Sequence, residues 1–410
     1  MAVGLSPPKQ IRRIEGVNVA TAAAEIRYPD RDDMLLLHLA EGSSVAAVFT
    51  QNKFCAAPVV LAKQNLAKDS PRALLINSGN ANAGTGEAGL SNAIESCHLI
   101  AQGLNIRPTQ VLPFSTGVIG EQLPMDRVSL GCEKLLSGVA VTDNDSDWMS
   151  AAESIMTTDT IAKAVSEQVE IEGRQVTITG IAKGSGMICP NMATLLSYVA
   201  TDIEVDSAVL QEMLLDACGA SFNRITVDSD TSTNDALVLV ATGQNDLPCI
   251  DTIDSPNAKE FYKALERVLI TLATAIIRDA EGATKFVKIK VLNGQSESDC
   301  EAIAYSVAHS PLVKTALFAS DPNWGRLLMA VGKAEVNELD VGKIDLSINN
   351  LPLISQGQPA KAYTEEQGQA VFSEQEIEID INLNAGQAAY HVWTSDLSDQ
   401  YVSINADYRS

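Results

Sequence analysis

Short apolar runs closed by turn residues recur along this chain and alternate with stretches whose apolar residues return at helical spacing. A short apolar run is typical of a buried strand, whereas apolar residues three and four positions apart mark one face of a helix. Strands are predicted at 44–50, 72–77, 111–114, 175–181, 236–241 and 285–292, and helices after 87, after 123, at 207–217 and at 257–278. This alternation excludes an all-helical or all-strand fold.

The last third of the chain has a different pattern. Residues 344–348, 377–383 and 389–394 predict antiparallel strands joined by polar turns. Residues 355–369, rich in Gln, Pro, Gly and Glu, predict a surface loop or hairpin tip. We therefore expect a mixed α/β fold of layered mixed and antiparallel sheets flanked by helices, and the 410 residues allow one or two domains.

The charge balance limits the partners. With 52 acidic and 29 basic side chains the formal net charge is -23, which repels phosphate backbones and anionic lipid head groups. Nucleic acid and membranes are therefore poor partners. An anionic substrate would need local cations or backbone N–H groups, and Lys183 is the first candidate.

Cysteine and histidine usage indicates the compartment and argues against a metal. The seven cysteines show no CxxC spacing, and the four histidines are isolated. Free, mostly buried cysteines are typical of a reducing compartment, and metal sites usually need clustered ligands. No signal peptide or membrane span is visible. We expect a cytoplasmic protein without a bound metal.

Two segments match familiar binding motifs but lack the residues that those motifs need. Residues 84–89 match GxGxxG, but the preceding strand ends near Asn77 and residues 103–111 lack the acid that a dinucleotide site needs. Residues 228–235 resemble the start of a calcium loop, yet Leu239 stands where that loop requires Glu. Both segments are interpreted as polar turns.

Residues 183–196, with the sequence KGSGMICPNMATLL, are the most informative segment. For an arbitrary protein a loop between two strands is the ordinary interpretation, and a GxSxG elbow is excluded because Lys183 occupies the first glycine position. The segment closely resembles the self-cleavage signature of the ornithine acetyltransferase family, whose members are cleaved before the threonine of Met-Ala-Thr. That triplet is here Met192-Ala193-Thr194. The family usually has alanine where this chain has Cys189, which we interpret as structural.

The resemblance extends over nearly the whole chain. Residues 114–120 are similar to the oxyanion-hole segment of the family, in which Thr116 and Gly117 would be the donors. Further blocks that resemble the family are residues 157–160, 228–235, 279–285, 321–326 and 405–410. Each block alone would pass for a turn or a core strand, but their common order identifies the family.

The resemblance implies a self-cleaving acetyltransferase. Cleavage between Ala193 and Thr194 would give an α chain, 1–193, and a β chain, 194–410, and two copies of each would form an α2β2 heterotetramer. Thr194 would take the acetyl group of N-acetylornithine and pass it to glutamate, without a cofactor; acetyl-CoA stays open as a further donor. The substrate contacts implied are Thr157, Lys183, Thr194, Glu281, Asn405 and Ser410.

An N-terminal threonine suits this chemistry. A hydroxyl is a weak nucleophile that needs a nearby base, and the freed α-amino group, with a pKa of about 7.7 to 8.0, supplies one on the same residue. Lys183 can neutralise an α-carboxylate and Glu281 can attract the ornithine ammonium group, although lone charged residues are usually solvated.

Two alternatives stay open from the sequence. The first is an N-terminal-nucleophile amidase or aminopeptidase, in which water accepts the acyl group. The second is an uncleaved relative that serves as a binding or assembly protein, against which the intact Ala193-Thr194 pair and the full oxyanion segment argue.

Overall fold

The computed structural model describes residues 2–8, 10–139, 147–189 and 195–407. The chain forms two compact units. The large unit consists of Pro7–Asn223 and Thr231–Ile276, and the small unit consists of Met1–Ser6, Arg224–Asp230 and Ile277–Ser410. No helix in the described ranges is long and apolar enough to cross a membrane.

The strands are β1 (Val17–Ala22), β2 (Met34–Leu39), β3 (Ser44–Phe49), β4 (Ala73–Asn77), β5 (Val111–Ser115), β6 (Lys163–Ile171), β7 (Arg174–Lys183), β8 (Leu196–Thr201), β9 (Ile225–Thr226), β10 (Ala236–Ala241), β11 (Phe286–Gly294), β12 (Asp345–Ile348), β13 (Leu351–Ser355), β14 (Gln358–Pro359), β15 (Glu376–Asn382) and β16 (Ala388–Ser395). The helices are α1 (Ala57–Leu66), α2 (Gly86–Leu104), α3 (Met125–Val139), α4 (Asp147–Ser154), α5 (Ser207–Ala220), α6 (Pro256–Arg278), α7 (Glu297–Ala308), α8 (Pro311–Phe318), α9 (Trp324–Gly332), α10 (Glu365–Phe372) and α11 (Asp399–Ala406). The predicted mixed α/β class is confirmed.

The large unit contains two sheets. One has the strand order β1-β2-β4-β5, and the other has the order β3-β10-β8-β7-β6. In β2 the side chains of Leu35 and Leu37 belong to one hydrophobic cluster and those of Met34 and Leu36 to another, because successive side chains of a strand point to opposite faces. A strand with apolar residues on both faces is buried on both sides, so this sheet is an inner layer.

The core of the large unit lies between the two sheets. One cluster joins Leu37 of β2 to Tyr198 of β8 and Val238 of β10, and the rings of Phe114 and Tyr198 meet edge to face at 5.3 Å between centroids. Helices α1, α2 and α3 cover the outer face of the four-stranded sheet. Helix α5 packs on β3, and Leu272 of α6 lies close to the backbone of β7. The unit is therefore layered as helices, sheet, sheet and helices.

The small unit is built on one sheet with the order β14-β13-β12-β15-β11-β16-β9. Its core residues include Ile289 of β11 and Ile379 of β15, packed with Val307 of α7 and Leu327 of α9. The predicted antiparallel strands of the last third are present, with β12 antiparallel to β15 and β16 antiparallel to β11. However, β15 runs parallel to β11, so this sheet is mixed.

Two sequence predictions differ from the structure. The alternating pattern of residues 175–181 favours a half-buried strand, yet Val176–Ala182 of β7 is buried on both faces because the core and α6 lie on either side. The predicted loop 355–369 contains the turn between β13 and β14, but α10 begins at Glu365. A capping box between Thr364 and Gln367 starts this helix.

Candidate active site

The predicted oxyanion donors lie in a tight turn at the end of β5. The Thr116 N–H donates to the Asn77 carbonyl at 2.9 Å, and the Val118 N–H donates to the Gly79 carbonyl at 3.3 Å. Between them Gly117 has φ of +133°, and a Cβ there would lie 2.3 Å from the Gly79 carbonyl carbon. Only glycine fits a backbone that approaches another so closely.

This turn presents two donors. Within the described part of the chain neither the Gly117 N–H nor the Thr116 hydroxyl has a hydrogen-bond partner. Both residues are half-buried. A buried donor without a partner costs free energy, whereas a half-buried one stays accessible to a ligand. An oxyanion hole needs donors that are available to a developing anion in this way.

Thr157 and Lys183, two predicted substrate contacts, are brought together by Asp159. The Asp159 carboxylate accepts hydrogen bonds from the Thr157 N–H at 3.0 Å and the Gly184 N–H at 2.7 Å. It also forms an ion pair of 2.7 Å with Lys163, in which both side chains are almost completely buried. Lys183 is the last residue of β7, directly before Gly184.

The electrostatics at Asp159 favour the carboxylate. Burial alone would raise the pKa of Asp159, but the charges of Lys163 and Lys183, with the hydrogen bonds from Lys163 and Thr157, hold it below its usual range. Two lysines thus surround one carboxylate. In a chain with a net charge of -23, this corner of the large unit is locally cationic and suited to an anionic group.

A second buried carboxyl, Asp235, lies beside the start of β8. Burial raises its pKa well above the usual value, although the Ser232 side chain, the Leu195 N–H and the Lys183 charge lower it. Leu195 directly follows Thr194 in the sequence. Sequence reasoning missed both Asp159 and Asp235, although each stands in a block that resembles the family.

Glu281 and Asn405 are brought together in the small unit. The Asn405 Nδ2 donates to Glu281 Oε2 at 2.7 Å, and Glu281 is buried. Asn405 lies on α11, in which no residue is buried. The Tyr401 hydroxyl of the same helix donates to Asp228 Oδ2 at 3.0 Å. Polar contacts of this kind hold α11 in place.

The loop after Glu281 is fixed by the segment that precedes α11. Asp396 accepts hydrogen bonds from the N–H groups of Thr284 and Lys285 at 2.8 and 2.9 Å, and the Ser398 hydroxyl donates to the Gly282 carbonyl at 2.7 Å. Gly282 has φ of +68°, and a Cβ there would lie 2.8 Å from the Tyr401 nitrogen. The loop and the helix therefore fit closely only with glycine at this position.

Comparison with known proteins places the chain in a family. The family model described as "ArgJ family" matches residues 18–410. This chain belongs to the ArgJ family. It is 50% identical over 410 residues to the "Arginine biosynthesis bifunctional protein ArgJ" of Pseudomonas syringae pv. tomato and 48% identical to that of Pseudomonas fluorescens, with both chains covered completely in each case.

A solved ArgJ structure is also similar. The crystal structure of the arginine biosynthesis bifunctional protein from Bacillus halodurans is 37% identical, with a TM-score of 0.50, and the match covers 52% of this chain and 100% of that chain. The resemblance found in the sequence is thereby confirmed.

Within this ArgJ chain, the candidate residues divide between the two units. The large unit carries Thr116, Gly117, Thr157 and Lys183, and the small unit carries Glu281 and Asn405. Ala193, Thr194 and Ser410 lie outside the described residues. Thr194 stands in the connection between β7 and β8, two residues before β8 begins. The roles of all these residues stay predictions.

Proposed function

We propose that this chain transfers the acetyl group of N-acetylornithine to glutamate in arginine biosynthesis, through an acetyl-Thr194 intermediate. The observation that supports the proposal is the turn at Thr116 and Gly117, whose two donors have no hydrogen-bond partner among the described residues and would serve as an oxyanion hole for acyl transfer. Full-length similarity to arginine biosynthesis proteins favours this transferase over an N-terminal-nucleophile amidase or aminopeptidase.

The proposed chemistry proceeds in two matched steps. The α-amino group of Thr194 takes the hydroxyl proton while the oxygen attacks the acetyl carbonyl, and the Thr116 hydroxyl and Gly117 N–H stabilise the oxyanion. The tetrahedral intermediate then collapses, the amide bond breaks, and ornithine leaves with the proton. The neutral glutamate amine then attacks the acetyl ester, the bond between the acetyl carbon and the Thr194 oxygen breaks, and the α-amino group passes the amine proton to that oxygen, which regenerates Thr194. No metal or redox cofactor takes part in this scheme.

The charges of the two units support amino-acid substrates. Lys183, in the locally cationic corner around Asp159, is proposed to bind an α-carboxylate together with Thr157. Glu281 is proposed to bind the side-chain ammonium of ornithine, with Asn405 and Ser410 orienting the ligand. Substrate carboxylate and ammonium would thus meet opposite charges.

Self-cleavage between Ala193 and Thr194 is part of the proposal. The predicted bond lies in the connection between β7 and β8, which pair from Ile178 with Thr201 to Lys183 with Leu196. Strand β10 of the later chain also pairs with β3 of the earlier one. Ladder hydrogen bonds would therefore hold the two chains together after the cut. We further propose an α2β2 assembly and a cytoplasmic location.

Three measurements test this function. A denaturing gel with N-terminal sequencing should show a β chain that begins at Thr194. An assay with N-acetylornithine should release ornithine and form N-acetylglutamate only when glutamate is present; continued release of acetate without glutamate would identify a hydrolase instead. Repeating the assay with acetyl-CoA and glutamate decides whether acetyl-CoA is a second donor.

A further inference from the structure

Asn234 is a buried amide that joins separate segments of the large unit. Its Nδ2 group donates to the Ala81 carbonyl at 2.6 Å and to the Ser115 carbonyl at 2.9 Å. Its Oδ1 accepts from the Thr233 hydroxyl at 2.6 Å. Because both amide protons and the oxygen are engaged, the side chain is fixed in one orientation.

One of the two carbonyls that Asn234 holds lies in the chain that enters the oxyanion turn, and the other belongs to a residue that is bonded to the chain leaving the turn. Ser115 directly precedes Thr116 and enters the turn. Ala81 donates its N–H to the Val118 carbonyl at 3.0 Å, and Val118 leaves the turn. Asn234 therefore restrains the turn around Gly117 at both ends.

The backbone beside Asn234 reaches the strand that follows Thr194. Strand β10 begins two residues after Asn234 and runs parallel to β8, with Ala236 opposite Leu196. The Ala236 N–H donates to the Leu195 carbonyl at 3.0 Å. One short segment thus connects the oxyanion turn to the start of β8.

We propose that Asn234 is a positioning residue for acetyl transfer, which holds the Thr116 and Gly117 donors in register with the strand that begins after Thr194. This inference rests on the proposed function, in which those two donors stabilise the acetyl oxygen. A displacement of oxyanion donors of about 1 Å lowers the rate by about a hundredfold. Binding of the charged ends of the substrate does not involve this turn.

The test is Asn234→Ala, with rates taken per cleaved chain. We expect kcat for acetyl transfer to fall by about ten- to a hundredfold and KM for N-acetylornithine to change less than about threefold, since a group that acts in the transition state affects kcat. The amount of acetyl-β chain formed per cleaved molecule should stay stoichiometric while its rate of formation falls.

Asn65→Ala is the matched control. Asn65 is also buried, and its Nδ2 donates to the Val111 carbonyl at 2.9 Å, at the opposite end of β5. The Asn65→Ala variant should lose about as much thermal stability as Asn234→Ala and keep the wild-type kcat. Asn234→Asp is a second, isosteric variant, in which a carboxylate cannot donate to either carbonyl, so kcat should fall at least as far as in Asn234→Ala.

The experiment distinguishes failure of the proposed function from failure of the positioning role of Asn234. A cleaved wild-type protein that transfers no acetyl group would refute the proposed function itself. An active wild type with equal kcat in Asn234→Ala and Asn65→Ala would overturn the positioning role alone. Two further results would contradict the positioning role. One is Asn234→Ala protein in which the amount of acetyl-β chain falls together with its rate of formation, and the other is folded Asn234→Ala protein that stays uncleaved. Either result would assign Asn234 to folding or cleavage.

Discussion

The two units hold the carboxylates of their candidate sites in different ways. Asp159 of the large unit is fixed by a buried lysine and two backbone N–H groups within the layered core. Glu281 of the small unit meets Asn405 on α11, a helix that buries no residue. We expect a change at Asp159 to cost folding stability, because it disrupts a buried ion pair. We expect a change in α11 to cost less, because this helix buries no residue.

The largest expected effect is on stability in the large unit. Asp159→Asn removes the carboxylate that pairs with the buried Lys163 ammonium, so the free energy of unfolding should fall by about 3 to 5 kcal/mol. Urea denaturation measures this change. Glu167→Gln, which breaks the exposed pair with Arg267, is the control and should cost less than about 1 kcal/mol. Equal losses in the two variants would show that the Asp159 pair is not buried.

The matching change in the small unit should affect transfer instead. Deleting residues 405–410 removes the Asn405 contact with Glu281, and each lost charge-assisted hydrogen bond is worth about 1.5 to 3 kcal/mol, or about ten- to a hundredfold in kcat/KM. Self-cleavage should persist, because it requires groups around Thr194. A truncated protein that matures normally and keeps full kcat/KM for N-acetylornithine would show that the tail is only a surface end.

A smaller effect on substrate binding is expected from a single substitution in α11. Burial and the Asp228 charge raise the pKa of Tyr401 above its usual range, so the phenol stays protonated and donates to Asp228. Tyr401→Phe should loosen α11 and raise KM for N-acetylornithine about fivefold, equivalent to about 1 kcal/mol. Steady-state kinetics would show this. Tyr363→Phe, which removes an exposed hydroxyl contact with Glu365, should leave KM unchanged; an equal rise would count against the α11 contact.

Acid should reduce the stability difference between wild type and Asp159→Asn. The folded pKa of Asp159 is depressed, so its contribution is complete above the unfolded value of about 3.9 and is lost as pH falls through the folded value. Urea denaturation at pH 7 and at stepwise lower pH measures the difference. A difference that stays constant in protein that is still folded well below about pH 3.9 would contradict the assignment.

The sequence predicted the strands of the core better than their surroundings. Strands β4 and β10 were predicted from their apolar runs, but the equally apolar β2 was missed because a short run of this kind is not distinguishable from part of a buried helix by its periodicity. Helix α10 was missed because its turn-like neighbours and glutamines hid the capping box at Thr364. The parallel pairing of β15 with β11 depends on partners far apart in sequence.

The candidate site shows a similar limit. Family resemblance predicted Thr116, Lys183 and Glu281 as site residues, whereas Asp159 was not singled out. An aspartate followed four residues later by a lysine is typical of an exposed pair, and only tertiary packing buries both side chains. Asn234 was hidden in the same way, because its two carbonyl partners lie more than 100 residues away.

The most direct test of the account is the intact mass of the two chains after purified protein is mixed with N-acetylornithine alone. The account predicts a β chain that begins at Thr194 and carries one acetyl group on Thr194. Addition of glutamate should remove this acetyl group. An uncleaved chain, a β chain with another N-terminus, or an acetyl group on a different residue would contradict it.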